Sequence, residues 1–176
     1  MNRCLKDLVE HFEGAGVAYR VEKHPYAITA QEAADLQHVP GHSFAKSVVA
    51  VADGRFVLLV LQAPHVIDFG AVEDALLVDE ARLATEEEFA PLFPDCELGA
   101  MPPFAGKPGL DVYLDKGLIG RPEITFEAGS HFETVRVRTE DYVWLAQPRV
   151  LSFAREPLPP EPSSRALGAN TKSSKE

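Results

Sequence analysis

The 176-residue chain has only two cysteines, Cys4 and Cys96, and no apolar run long enough to cross a bilayer. Its longest dense apolar run, Phe56 to Leu61, is far shorter than the roughly 20 residues that a membrane-spanning helix needs. The first eight residues also lack the apolar stretch of a signal peptide. Two cysteines alone build neither a structural zinc site nor a disulfide framework, so we expect reduced thiols and a cytoplasmic protein without a membrane partner.

Positive charge is also scarce, because 17 Lys and Arg face 27 Asp and Glu and the formal net charge is −10. An acidic chain argues against a broad nucleic-acid surface, since phosphate binding needs Lys and Arg close to the backbone. The deficit is local, however. Residues 68–97 hold ten acids and one base, Arg82, while the rest of the chain is about neutral. The charge therefore leaves room for a local basic site elsewhere.

Nucleotide and metal motifs are absent as well. The chain contains neither GxGxxG nor a phosphate-loop sequence. His38 and His42 are four residues apart, but Pro40 lies between them and prevents a helix from carrying both on one face. The sequence therefore predicts neither a metal nor another cofactor.

Apolar periodicity predicts helices that alternate irregularly with hairpin-like strands. We expect helices over about 5–12, 30–37, 69–76, after Thr85 and after Thr139, and strands over 17–21, 45–52, 55–62, 110–114, 123–126 and 134–138. Capping boxes at Thr29 and Thr85 and the hairpin turn at Asp53–Gly54 support these assignments. The pattern favours an α+β fold, a single domain with a curved, mainly antiparallel mixed sheet or partial barrel flanked by helices. We expect residues 1–153 to form this domain and the Pro- and Ser-rich residues 154–176 to form a disordered tail.

Lys46, near the start of a predicted apolar strand, is the first candidate site residue. Burying an ammonium group costs several kcal/mol unless an anion or another partner meets it. A lysine at the wet end of the strand, with its stem lying across apolar surface, gives the same pattern. Composition alone favours this second interpretation.

A glycine- and proline-rich loop is the second candidate. It consists of Gly99, Ala100, Met101, Pro102, Pro103 and Phe104. Glycine permits close backbone approach and proline fixes φ, so the loop is suited to holding backbone groups rigidly toward a ligand. A stiff connection between two strands would use the same residues, and both interpretations stay open.

The segment Ala128-Gly129-Ser130-His131 separates two predicted strands and is typical of a tight turn with a solvated histidine. Ser130 and His131 do not suggest a catalytic pair, because neighbouring strand side chains point to opposite faces. His131 contacting a ligand is the less favoured alternative.

Together these segments resemble the YbaK-type aminoacyl-tRNA deacylases, the family that includes the editing insertion domain of bacterial prolyl-tRNA synthetases and its free-standing relatives. The matching segments, in order, are His24-Pro25, Thr29 to Ala34, Val39-Pro40-Gly41, Ala45 to Val49, Phe93 to Phe104 and Ala128 to His131. The resemblance covers about residues 1–153. After Phe104 the chain continues with Ala105 where relatives have glycine, so this side of the pocket is expected to differ.

The resemblance implies hydrolysis of the ester that joins a wrong amino acid to the terminal adenosine of tRNA. It implies that Lys46 holds the terminal phosphate, that Gly99 to Pro103 shape the aminoacyl pocket, and that Gly129, Ser130 and His131 line it, with Phe104 beside them. The protein would be a free-standing trans-editing deacylase for a tRNA carrying Ala, Ser or Thr. It would act on the aminoacylated 3′ end as a monomer or weak dimer, with a synthetase as a candidate partner.

Two other functions fit the same residues. A non-catalytic adaptor that binds tRNA ends or a synthetase would keep the fold and the phosphate-binding lysine. A small hydrolase for another ester or nucleotide-linked substrate would use the same pocket.

Overall fold

The computed structural model describes residues 2–105 and 109–159. In these ranges the α-helices are α1 (Arg3–Ala15), α2 (Ala30–Leu36), α3 (Phe69–Leu76), α4 (Glu86–Phe89) and α5 (Thr139–Ala146). The strands are β1 (Tyr19–Lys23), β2 (Ala45–Ala52), β3 (Arg55–Gln62), β4 (Val66–Ile67), β5 (Ala81–Leu83), β6 (Asp111–Asp115), β7 (Glu123–Ser130), β8 (Glu133–Arg138), β9 (Arg149–Leu151) and β10 (Ala154–Arg155). No helix in the described part of the chain is long and apolar enough to cross a membrane.

The strands form mixed and antiparallel sheets, which confirms the predicted α+β class. One sheet has the order β1-β8-β7 and is antiparallel. A larger sheet has the order β5-β2-β3-β6-β9, in which β3–β6 and β6–β9 are parallel pairs. A parallel bridge between Phe44 and Thr125 joins these two sheets without closing a barrel, and β10 pairs separately with β4.

Local signals in the sequence determine several element ends. The side chain of Asn2 accepts the N–H of Leu5 to cap α1, and Gly16 ends this helix in the left-handed region with φ of 69°. The predicted capping boxes at Thr29 and Thr85 are both present. The hairpin turn between β2 and β3 has positive φ at both of its central residues, as Asp53–Gly54 predicts.

The second half of β7 differs from the prediction. The strand runs to Ser130 rather than ending near Phe126, because a bulge between Glu127 and Ser130 shifts its register against β8 and allows pairing to resume. Gly129 has a φ of 87°, which glycine adopts without steric cost. Gly129 and Ser130 are therefore strand residues, and the turn follows at 131–132.

The ordered chain also continues beyond the predicted domain boundary at Phe153. Ala154–Arg155 form β10 against β4, and the Asp115 carboxylate accepts the N–H groups of Phe153 and Ala154 at 2.9 Å each. A tail that starts at residue 154 is therefore placed too early. Residues 160–176 of the predicted tail lie outside the described residues, as do residues 106–108, which follow the Gly99–Phe104 loop in sequence.

Apolar side chains fill both faces of the larger sheet. On one face the buried residues of α1, β7, β8 and α5 form the main core, which includes Phe12, Leu58, Phe126 and Tyr142. On the opposite face α3 and Phe153 cover a second cluster. A third, smaller cluster lies beneath α2. The loop from Gly99 to Phe104, called the Gly99 loop below, contributes Met101 and Phe104 to the main core.

Cys4 and Cys96 form a disulfide, so the expectation of two reduced thiols is wrong for this structure. Their Cα atoms are 5.6 Å apart although 92 residues separate them in sequence. The pairing depends on α1 packing beside the segment that leads into the Gly99 loop, and no local pattern reports such a tertiary contact. The disulfide joins the first helix to this loop.

Candidate active site

The Gly99 loop lies against the bulged end of β7. The N–H of Gly129 donates to the carbonyl oxygen of Ala100 at 2.8 Å, and the N–H of Glu97 donates to the carbonyl oxygen of Gly129 at 2.9 Å. The carboxylate of Glu97 accepts the N–H of His131 at 2.9 Å. Two of the predicted site segments are thus brought together by direct hydrogen bonds.

His131 links the strand to the loop through its ring. The residue is only 8% exposed. Its Nδ1 lies 3.1 Å from Oε1 of Glu127, and its Nε2 lies 3.0 Å from the carbonyl oxygen of Leu98. Gly99 lies beside the ring, since a Cβ added there would come within 3.5 Å of Cε1. The solvated turn histidine that the residues alone favour is therefore wrong.

Glu127 is the candidate that sequence reasoning misses. It is 5% exposed and faces His131. Burial raises the pKa of Glu127 to about 7, against an opposing effect of His131. Burial lowers the pKa of His131, but the Leu98 carbonyl and the Glu127 carboxylate outweigh it and the pKa is raised overall. The signal in the sequence is weak, since Glu127 is an acid directly after the predicted strand that ends at Phe126.

Gly129 and Ser130 face inward rather than toward solvent. A Cβ at Gly129 would lie 2.6 Å from Sγ of Cys4, so this position admits no side chain while α1 stays in place. The hydroxyl of Ser130 donates to Glu133 at 3.3 Å, and Asn2 donates to the same carboxylate at 3.2 Å. Ser130 therefore stabilises the junction between β7, β8 and α1.

The second half of the loop anchors it in the main core. The sulfur of Met101 accepts the N–H of Gly99 at 3.2 Å, and the carbonyl oxygen of Pro103 accepts the hydroxyl of Tyr142 at 2.9 Å. The ring of Phe104 packs edge-on against Tyr142, with centroids 5.3 Å apart. Pro102 and Phe104 line a cavity of about 490 Å³ together with residues of α1 and α5. Neither Lys46 nor His131 lines this cavity, which lies behind the loop.

Lys46 is half-buried near the start of β2 and forms hydrogen bonds with two carbonyl oxygens. Its Nζ donates to the carbonyl oxygens of Ala63 at 2.9 Å and of His65 at 2.5 Å. Burial lowers its pKa. None of the ion pairs found among the described residues includes Lys46. An ammonium group has three N–H donors, so one donor and an uncompensated charge remain for an anion. The freely solvated strand-end lysine is not what the structure shows.

Lys46 and the contacting side chains of Glu127 and His131 all follow the point where the two sheets meet. The parallel bridge from Phe44 to Thr125 sets the start of β2 beside β7. Lys46 and Glu127 each follow that bridge by two residues in the same direction. Within the described ranges no hydrogen bond joins Lys46 to the Gly99 loop, and its Nζ donates instead to Ala63 and His65.

Comparison with known proteins decides the family. The family model of the aminoacyl-tRNA editing domain matches residues 24–145. The chain belongs to the aminoacyl-tRNA editing family. A multifunctional Ser/Thr-tRNA deacylase of Escherichia coli K12, ProXp-y, is 30% identical over 145 residues, which cover 80% of this chain and 86% of that protein. The resemblance noted in the sequence is confirmed.

Two further relatives agree with this assignment. The proline–tRNA ligase of Bacillus subtilis is 28% identical over 123 residues, which are 66% of this chain and 21% of the ligase. A solved structure described as a candidate trans-editing enzyme for prolyl-tRNA synthetase superposes with a TM-score of 0.78 at 24% identity, covering 88% of this chain and 99% of that one. The structural match shows that the editing family and this chain share one fold.

Proposed function

We propose that this member of the editing family is a free-standing trans-editing aminoacyl-tRNA deacylase, a hydrolase that cleaves the ester of a mischarged tRNA carrying Ala, Ser or Thr. The observation that carries the proposal is the similarity to the Ser/Thr-tRNA deacylase, which extends over 86% of that protein. The match to the ligase covers only 21% of its length. These coverages favour a free-standing editing protein over a domain of a synthetase.

The geometry of the loop supports ester hydrolysis without a conventional catalytic base. An aminoacyl ester is already activated, so positioning a water and holding the developing oxyanion with fixed backbone N–H groups supplies much of the acceleration. The segment from Gly99 to Pro103 is fixed on one side by β7 and on the other by the core. Within this segment the N–H groups of Gly99 and Ala100 already donate to Met101 and Glu97, and the two prolines have no N–H. We therefore assign the segment to positioning the ester and the attacking water.

In this proposal His131 positions the Gly99 loop and does not transfer protons to or from the substrate. Both of its ring nitrogens already face protein acceptors, Glu127 and the Leu98 carbonyl. A general base needs a nitrogen within hydrogen-bond reach of the attacking water. His131 is assigned to holding the loop beside the ester, which narrows the pocket-lining role that the resemblance implies.

Lys46 is assigned to the terminal phosphate of the tRNA. Its unused N–H donor and unpaired charge fit a phosphate oxygen, for which a compact ammonium is a suitable partner. With a net charge of −10 and its acids concentrated in residues 68–97, the chain offers little positive surface for the body of the tRNA. We therefore expect weak, salt-sensitive binding through the 3′ end, cytoplasmic action as a monomer or weak dimer, and a synthetase as the partner that supplies further affinity.

The decisive experiment is incubation with a panel of aminoacylated tRNAs. We expect the wild-type protein to shorten the ester half-life of Ala-, Ser- or Thr-tRNA, and Lys46→Ala to lose most of this effect at protein concentrations below saturation. Equal half-lives with wild type, Lys46→Ala and no protein across the panel would contradict the proposal. Saturable binding of the tRNA end without ester loss under single-turnover conditions would favour the adaptor function instead.

A further inference from the structure

A buried series of three hydrogen-bonded groups connects the interior of β7 to Leu98, the residue directly before the Gly99 loop. It runs from the Glu127 carboxylate through the His131 ring to the carbonyl oxygen of Leu98, with contacts of 3.1 and 3.0 Å. Backbone bonds hold Glu97 and Ala100 on either side. Between these two residues, the ring of His131 contacts Leu98 and lies beside Gly99.

The hydrogen-bond partners of His131 determine how many protons Glu127 and His131 share. A carbonyl oxygen only accepts, so Nε2 of His131 must carry the proton that it donates to Leu98. Nδ1 then either donates to an ionised Glu127 or accepts a proton from a neutral Glu127. Either way one proton lies between the two side chains. If that proton is lost, the lone pair of Nδ1 faces a carboxylate oxygen and the two groups repel.

We propose that Glu127 is a positioning residue, which acts through His131 to hold Leu98 and the Gly99–Pro103 loop in the arrangement that the proposed ester hydrolysis needs. The inference rests on the proposed function for its effect on rate, but not for its effect on the loop. The raised pKa values of Glu127 and His131 agree with a shared proton near neutral pH.

Other ionisable groups near this pair have partners of their own. Glu97 accepts the His131 N–H, and its charge favours retention of the shared proton. Tyr26 packs its ring 5.6 Å from that of His131. On the elements packed against β7 these groups are Glu133 and Arg136 of β8, the latter paired with Glu22 of β1, Lys46 of β2, Glu32 and Asp35 of α2, and His42 beside His65. The two residues that meet Gly129 at the start of α1, the N-cap Asn2 and Cys4, are uncharged.

The substitution Glu127→Gln tests whether the ring of His131 can be held in place without a titratable partner. The amide N–H of glutamine donates to Nδ1 of a neutral imidazole whose Nε2–H still donates to Leu98. This variant therefore keeps the link at every pH. Glu127→Ala removes the link at every pH. Glu123→Gln, at the exposed far end of the same strand, makes the same charge change without touching His131.

The test measures single-turnover hydrolysis of Ser-tRNA and Thr-tRNA by the full chain between pH 6 and 9, corrected for protein-free hydrolysis. We expect the rate ratio of wild type to Glu127→Gln to fall above about pH 7, by up to about tenfold per pH unit. Glu127→Ala is slow throughout, and Glu123→Gln follows the wild type. Parallel profiles for wild type and Glu127→Gln would overturn the proposal.

Amide hydrogen exchange over residues 97–101 provides a readout that does not need activity. After correction for intrinsic exchange, protection is expected to fall with rising pH in the wild type, to stay constant in Glu127→Gln and to be low in Glu127→Ala. Equal protection in all three proteins would overturn the positioning role. If no variant cleaves any aminoacyl-tRNA, the proposed function fails, whereas the exchange data still decide whether Glu127 holds the loop.

Discussion

The two halves of the proposed site are built in opposite ways. At the start of β2, Lys46 keeps a positive charge and one unused donor, and its partners in the described part of the chain are two backbone carbonyls. At the end of β7, Glu127 and His131 are buried, and each polar atom of the His131 ring has a partner. The first region is incomplete until an anion arrives, and the second is complete without a ligand.

The difference assigns separate tasks to the two regions. An uncompensated, half-buried ammonium gains most from an incoming phosphate, so it contributes to binding. A closed network gains nothing from a ligand, but it fixes the backbone beside it, so it contributes to the rate of the bound state. Substitutions that damage one region should therefore leave the signature of the other intact.

The largest expected effect comes from filling the contact between β7 and α1. Gly129→Ala places a Cβ against Cys4 at a φ of 87°, so we expect a loss of roughly 3 kcal/mol or more in the free energy of unfolding, measured with urea. Gly54→Ala is the matched control, since Gly54 also has positive φ but nothing lies within 4 Å of its added Cβ. It should lose only about 1 kcal/mol. Equal losses would show that the packing on Cys4 is unimportant.

Removing the disulfide should weaken the closed region next. Cys4→Ser with Cys96→Ser, or reduction by dithiothreitol, is expected to lower the free energy of unfolding by roughly 2–4 kcal/mol, because the cross-link closes a long loop. Urea unfolding with and without the reductant measures this. The serine variant should not respond to dithiothreitol, and a wild type that is equally indifferent would mean that the thiols are not paired in solution.

Removing the charge of the open region should affect binding to a smaller extent. Lys46→Ala is expected to weaken binding of an uncharged tRNA 3′ end by roughly 10-fold to 100-fold, the range for one charge-assisted hydrogen bond, and to reduce the salt dependence by about one phosphate contact. Fluorescence anisotropy at several salt concentrations measures both. Lys6→Ala on the exposed face of α1 provides the control. An unchanged salt slope would remove Lys46 from the phosphate site.

The smallest expected effect concerns stability against pH. The folded-state pKa of Glu127 is raised to about 7, and that of His131 is also raised. A raised pKa contributes stability below the unfolded value that is lost as pH rises through the folded value. Relative to Glu127→Gln, the wild type should therefore lose roughly 1–3 kcal/mol in the free energy of unfolding between pH 4.5 and pH 8. A wild type that gains stability over this range, relative to the variant, would contradict the shared proton.

Local elements of the fold could be predicted from the sequence because local chemistry determines them. The hairpin at Asp53–Gly54 and the capping boxes at Thr29 and Thr85 depend on residues within a few positions of one another. The two-residue strands β4 and β10 are too short for any alternation to be visible. Their pairing is decided by the tertiary fold.

The candidate site divides along the same line. The resemblance supplied the loop, Lys46 and the segment that ends at His131, and the structure brings two of these three into direct contact. Glu127 and the Cys4–Cys96 disulfide were missed, since each depends on a contact between distant elements or on a bulge. The bulge at Gly129 turns a predicted exposed turn into a buried strand end, which is why the histidine was misplaced.

The most direct test is the dependence of the single-turnover rate on protein concentration for Lys46→Ala and Glu127→Ala with the same aminoacylated tRNA. We predict that Lys46→Ala raises the concentration for half-maximal rate and leaves the maximal rate nearly unchanged. We predict that Glu127→Ala lowers the maximal rate and leaves the half-maximal concentration nearly unchanged. If both substitutions change the same parameter, the division of the site into a binding region and a positioning region is wrong.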